Sequence, residues 1–123
     1  MNAAPVILLV EPSPLLRLRL HEWLENVLTD SRILIAANGL DTLWRAAQEE
    51  PSRILIEIYL SDIIGFEVVR QIRQGLPTAR IIATGSHESR CILDSVQSAG
   101  ADGFILKDNL YNQLLPLWGL PTR

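Results

Sequence analysis

The stretch Val6-Ile7-Leu8-Leu9-Val10, followed at once by Glu11-Pro12-Ser13-Pro14, decides how the chain is read. Five consecutive apolar residues without alternation are apolar on both faces. That is the pattern of a parallel strand covered by helices on either side, whereas a half-wet antiparallel strand alternates. Ser13 then offers an N-cap and Pro14 suits the first helical position. From there Leu16, Leu20, Trp23, Leu24 and Val27 recur at helical spacing. The opening of the chain is a buried strand feeding a helix.

The same unit repeats outward from this start. Apolar runs return at Ile33-Leu34-Ile35-Ala36, Ile54-Leu55-Ile56, Ile81-Ile82-Ala83 and Phe104-Ile105-Leu106, their starts separated by 27, 21, 27 and 23 residues. Between them lie helical stripes: Leu40, Leu43, Trp44 and Ala47; then Phe66, Val69 and Ile72; then Ile92, Val96 and Ala99. A weaker fifth stripe, Leu110, Leu114 and Trp118, is interrupted by Pro116, which should cut that helix short. Five strand-helix units joined by short links demand right-handed crossovers. The expected fold class is therefore α/β, a doubly wound (βα)5 parallel sheet. Trp23 and Trp44 are expected to face the core.

Composition bounds the function. A chain of 123 residues is expected to form a single domain over 1–123. With 48% hydrophobic and 20% charged residues it should fold as an ordinary globule. A net charge of −3 argues against holding nucleic acid by phosphate neutralisation. Cys91 has no partner for an internal disulfide and reads as a small, buried helix residue. No Lys or Arg precedes the first apolar run, as a signal peptide requires, and no run approaches the roughly 18 apolar residues of a membrane span. A cytoplasmic protein is expected. His21, on the polar side of the first helix, and His87, at the start of the fourth, have no second ligand at metal spacing. Glu49-Glu50 reads as a solvated helix end.

In doubly wound sheets, sites form beyond the carboxyl ends of the strands. The residues there are Glu11 after the first strand, Glu57 at the end of the third, Thr84 and Gly85 after the fourth, and Lys107 after the fifth. Lys107 is the chain's one lysine, against ten arginines. Glu57 lies between Ile56 and Ile58, a charge set into a buried strand, which is costly unless paired. Lys107 is the natural partner.

Together, Val6 to Pro14, Ile54 to Leu60, Ala83-Thr84 and Gly100-Ala101-Asp102-Gly103-Phe104-Ile105-Leu106-Lys107-Asp108 resemble a response-regulator receiver domain of two-component signalling. The wording of the last stretch is most similar to receivers that precede helix-turn-helix outputs. The resemblance implies a flavodoxin-like sheet of strand order 2-1-3-4-5. In the family an aspartate at the end of the third strand takes a phosphoryl group from a histidine kinase; here that position is Glu57. Two adjacent acids after the first strand normally hold Mg²⁺; here Glu11 is followed by Pro12. Mg²⁺ demands near-ideal octahedral oxygen ligands, so its binding should be weak or absent. Thr84 matches the hydroxyl that follows the phosphoryl group, Phe104 the aromatic switch position and Lys107 the amine that pairs with the acceptor.

The expected function is therefore an atypical receiver that signals by protein contact without a phosphorylation cycle, and not an enzyme. Glu57 is expected to pair with Lys107 and to draw in Thr84. The alternative is a phosphorylatable receiver using another acid such as Asp62. A flavodoxin-type cofactor carrier is disfavoured, because Glu11-Pro12-Ser13-Pro14 lacks the glycines that cradle phosphate. The resemblance implies partners such as a histidine kinase, an output protein or a second copy. They would dock on the fourth helix, fifth strand and fifth helix, near Ile92, Phe104, Tyr111 and Leu115. The uncharged tail Leu114 to Leu120 suits either a homodimer contact or a cap on the core.

Overall fold

The computed structural model describes residues 4–121. Five strands, β1 (Val6–Val10), β2 (Arg32–Ala36), β3 (Arg53–Glu57), β4 (Arg80–Gly85) and β5 (Gly103–Leu106), form one parallel sheet in the order β2-β1-β3-β4-β5. Helices α1 (Pro14–Val27), α2 (Gly39–Glu49), α3 (Gly65–Gly75), α4 (Arg90–Ala99) and α5 (Leu110–Leu117) alternate with them. A short 3-10 turn, Lys107–Asn109, precedes α5. This is the expected flavodoxin-like order.

The absence of alternation in the strands has the expected cause: both faces are covered. On one face Ile7, Leu9, Leu55, Ile82 and Ile105 pack against Leu20 and Leu24 of α1 and Leu110 and Leu114 of α5. On the other, Leu8, Val10, Ile54, Ile56 and Ile81 meet Ala46 of α2 and Val68, Val69 and Ile72 of α3. Each such fully buried aliphatic side chain contributes about 1.5–3 kcal/mol. Ile58, Ala83 and Val96 extend the second layer beneath α4.

Pro116 falls in the last turn of α5, and the helix stops one residue later. The tail then closes over the core. Trp118 is 1% exposed and its indole Nε1 donates to the Ile54 carbonyl at 3.2 Å. Arg53 and Arg80 donate to the carbonyls of Trp118 and Leu117, and Leu120 packs on the same core layer. Of the two roles open to the tail, the cap is what these contacts make.

Three expectations about side-chain placement need correction. The α2 stripe is rotated: Leu40 and Trp44 are 65% and 62% exposed, Ala47 is exposed, and Gly39, Thr42 and Ala46 turn to the sheet. At its start the helix also sits close to α3 and the loop before it; a Cβ at Gly39 would stand 3.0–3.2 Å from Ile63, Val68 and Asp62. Cys91 is exposed, since α4 buries only Val96. His87 lies in the loop before α4, which begins at Arg90.

At the amino edge of the sheet one guanidinium ties the loops together. Arg73 donates to the carbonyls of Gly100, Leu76, Pro77 and Ala79 and to the Asp102 carboxylate. Asp102 in turn accepts the Ile81 N–H at 2.8 Å.

Candidate functional site

At the carboxyl edge the strand ends hold the side chains that matter. Glu11 follows β1 directly, its N–H bonded to the Ala36 carbonyl at 3.1 Å, and is 1% exposed. Its Oε2 accepts the Ser13 N–H at 2.9 Å, so the carboxylate takes up a free donor at the start of α1, where the Ser13 hydroxyl makes no cap bond. Arg17, one turn into α1, donates to the Glu11 carbonyl at 2.8 Å. Glu57 closes β3, 4% exposed, and its Oε2 accepts the Tyr59 N–H at 3.2 Å.

Lys107, carried past the end of β5 by the 3-10 turn, reaches both acids. Its Nζ stands 2.5 Å from Glu57 Oε1 and 3.1 Å from Glu11 Oε1. Burial acts to lower the pKa of this amine. Hydrogen bonds to Glu57 and Glu11, and their charges, outweigh that and hold it above the usual lysine value. The pairing expected of Glu57 and Lys107 is present, and Glu11 joins it. One cation serves two carboxylates in a nearly dry cleft.

Thr84 is not drawn in. It is the register neighbour of Glu57 across β3 and β4, yet its hydroxyl donates to the Ile105 carbonyl of β5 at 2.7 Å in a buried contact. That bond ties the end of β4 to β5, and both Glu57 oxygens have other partners. Phe104 is half-buried against Ile58, Ala83 and Val96. Gly85 leaves room for Ile58 in this layer: a Cβ there would lie 3.1 Å from the Ile58 side chain, while Phe104 would be at ordinary contact.

Asp62, in the loop between β3 and α3, has a job that the sequence reading missed. Its Oδ1 accepts the N–H groups of Gly39 at 2.7 Å and Ile63 at 2.9 Å, and Oδ2 that of Leu40 at 3.0 Å. The Leu40 and Gly39 N–H groups, at the start of α2, hold this carboxyl below its ordinary pKa. Beside it, Asn38 caps the same helix through the Asp41 N–H. Asn38-Gly39 with Asp41 was the one legible signal of a helix start; the distant carboxylate had none.

Of the expected docking residues, Tyr111 is exposed and packs on Trp23 in a T-shaped pair with ring centroids 4.8 Å apart, and Ile92 is half-buried. Leu115 is 4% exposed and belongs to the core, so it cannot line a surface. The periodicity of α5 fits Leu114, Leu115 and Trp118 all facing the sheet.

The carboxylate donors that could serve a Mg²⁺ ion are already committed. The two Oε2 atoms accept backbone N–H groups and the two Oε1 atoms stand at ion-pair distance from Lys107, that of Glu11 outside hydrogen-bond geometry, and Pro12 brings no side-chain oxygen. Among the described residues no three His, Cys, Asp or Glu side chains gather as a metal cluster. These residues do not fit the ion that the receiver resemblance implies.

Comparison with known proteins agrees with this architecture. The family model described as "Response regulator receiver domain" matches residues 7–117. The transcriptional activator protein ExaE of Pseudomonas putida is 32% identical over 101 residues, 82% of this chain and 47% of that protein. The transcriptional regulatory protein AfsQ1 of Streptomyces coelicolor is 30% identical over 84% of this chain and 44% of its own length. The chain thus spans about half the length of these relatives. Among solved structures, a LuxR-family two-component response regulator from Aurantimonas sp. SI85-9A1 superposes with a TM-score of 0.83 at 23% identity, over 96% of this chain and 88% of that one. The Vibrio cholerae chemotaxis protein CheY4 gives 0.83 at 21% identity, over 94% and 99%. The chain belongs to the response regulator receiver domain family, a family of signalling modules in two-component systems.

Proposed function

We propose that this receiver acts by protein contact, outside the aspartyl-phosphate cycle of its family. The observation that carries the reading is the ion triad: Lys107 is shared by Glu57 at 2.5 Å and Glu11 at 3.1 Å. Phosphoryl transfer works by positioning and by charge neutralisation through a metal. Here the amine offsets one of the two carboxylate charges from within, Pro12 stands where the second metal acid belongs, and the Glu57 oxygens are both engaged. A switch needs a ligand that discriminates between two states; a permanent ion pair supplies a constant bias. The Thr84 hydroxyl takes no part in the triad, being bonded to the Ile105 carbonyl.

Asp62 is a poor substitute acceptor. Its oxygens are held by three N–H groups, and among the described residues no lysine or arginine pairs with it. The reading extends to a protein partner such as a histidine kinase, an output protein or a second copy. Among the described residues no helix is long and apolar enough to cross a membrane.

The test is two-dimensional amide NMR during titration with Mg²⁺ and then beryllofluoride, an acyl-phosphate mimic. Resonances of Glu57, Thr84, Phe104 and Lys107 are expected to stay in place. Saturable shifts that spread into α4 and β5 would restore the phosphorylation switch and end this reading.

A further inference from the structure

Helix α2 carries a second apolar stripe that the fold does not use. Its inner side packs on the sheet, while Leu40, Trp44 and Ala47 stand outside it, exposed. Their 4-3 spacing is that of a helix-helix seam. An exposed Trp and Leu one turn apart are an unusual load for a free surface. Beside this ridge, Leu43, Ala46 and Ala47 of α2 and Ile72, Gly75 and Leu76 of α3 line an open groove of about 410 Å³. A Cβ at Gly75 would meet nothing within 4 Å, so the groove floor is clear there.

Charge selects the occupant. The same region bears Asp41, Glu49, Glu50 and Asp62 against Arg45 and Arg32, and both arginines are taken, by Asp41 at 3.3 Å and Glu49 at 3.2 Å. Two carboxylates remain without a cation among the described residues. Asp62 sits on the first N–H groups of α2, and Glu50 is its C-cap. Glu50 is placed against local preference twice over: it adopts φ 46°, and it sets an acid at the negative end of a helix. An eleven-residue helix is about 16 Å long, so the two charges bracket the apolar stripe at that distance.

We infer that the α2–α3 face is a docking surface for an amphipathic helix of another protein. That helix bears an apolar stripe in seam spacing and a lysine or arginine at each end, about eleven residues apart. A second copy of this chain fits less well, because two acidic faces would meet. The inference rests on the reading that the chain works by protein contact. Its failure would leave the Mg²⁺ and beryllofluoride result standing, so the two fail separately.

The probe is a synthetic 18-residue helical peptide with leucines in seam spacing and lysines eleven residues apart, titrated into the intact chain under amide NMR. Saturable shifts are expected over Leu40 to Glu50 and Ile72 to Leu76. Trp44→Glu and Glu50→Lys, both surface changes whose folding is checked by circular dichroism, are each expected to weaken binding at least tenfold. The inference is overturned by no saturable binding or by equal binding of a peptide with glutamates in place of the lysines. It is equally overturned by shifts confined to α4 and α5, or by self-association in sedimentation that Trp44→Glu abolishes, which would make a second copy the occupant.

Discussion

Lys107 and Glu57, fifty residues apart in sequence, close the carboxyl edge of the sheet with an Nζ to Oε1 contact of 2.5 Å. Glu11 shares the same amine, so two buried carboxylates depend on one cation. Lys107→Met leaves both unpaired, and losing one partner of a buried pair costs about 3–5 kcal/mol. Urea unfolding should show a loss of that order. Adding Glu11→Gln and Glu57→Gln to the variant should recover part of it, because no charge is then stranded.

The same contact predicts an alkaline limit. Lys107 titrates higher in the folded chain than its ordinary value of 10.5. A raised folded value means that the folded state holds the proton more tightly. The resulting stability is complete below the unfolded pKa and is lost as pH rises through the folded one. The urea midpoint should therefore fall above about pH 10.5 in the native chain. Lys107→Met should lack this component, and a parallel decline in both proteins would argue against the triad.

Glu57→Asp alone should not restore Mg²⁺-dependent labelling by acetyl phosphate, since the second metal acid is still missing. Pro12→Asp together with Glu57→Asp supplies the shorter acceptor and the additional oxygen donor. Labelling should appear only in the double variant. Labelling of the native chain that survives Asp62→Ala and is lost in Glu57→Gln would place an acceptor at Glu57 after all.

Asp62→Asn keeps the shape of the side chain and removes its charge. The N–H groups of Gly39 and Leu40 then lose a charge-assisted acceptor. Amide hydrogen exchange at these two positions should accelerate, with the interior of α2 changing less.

Trp118→Ala removes the largest of the fully buried side chains, together with its bond to the Ile54 carbonyl. Truncation of this kind costs about 3–5 kcal/mol. Sedimentation of the variant should remain that of the native chain if the tail serves as a cap alone.

The strands were legible because burial on both faces leaves no alternation, and their order came with the receiver motifs. The Glu57-Lys107 pair was legible for a physical reason: a charge inside an apolar run must find its opposite. The rotation of α2 was not, because Leu40, Trp44 and Ala47 have helical periodicity of their own and outscore Gly39, Thr42 and Ala46 on any hydrophobic reading. Leu115 was misplaced because adjacent residues in a short helix can both reach the core. That the Thr84 hydroxyl turns to Ile105 and not to Glu57 was not legible, because the register that sets the two side by side says nothing of which way a hydroxyl turns. The Asp62 anchor joins positions more than twenty residues apart through backbone donors, which carry no residue identity.

Arg73 gives the two ends of the sheet different responses to solution conditions. At the amino edge four of its five acceptors are neutral carbonyls, held by short-range geometry that added salt weakens little. At the carboxyl edge, two contacts join full charges, Lys107 with Glu57 and with Glu11, and the lysine responds to pH. The molecule is thus anisotropic: a rise of pH through the lysine range acts on the rim of Glu11, Glu57 and Lys107, while the carbonyl contacts of Arg73 at the opposite end carry no such dependence.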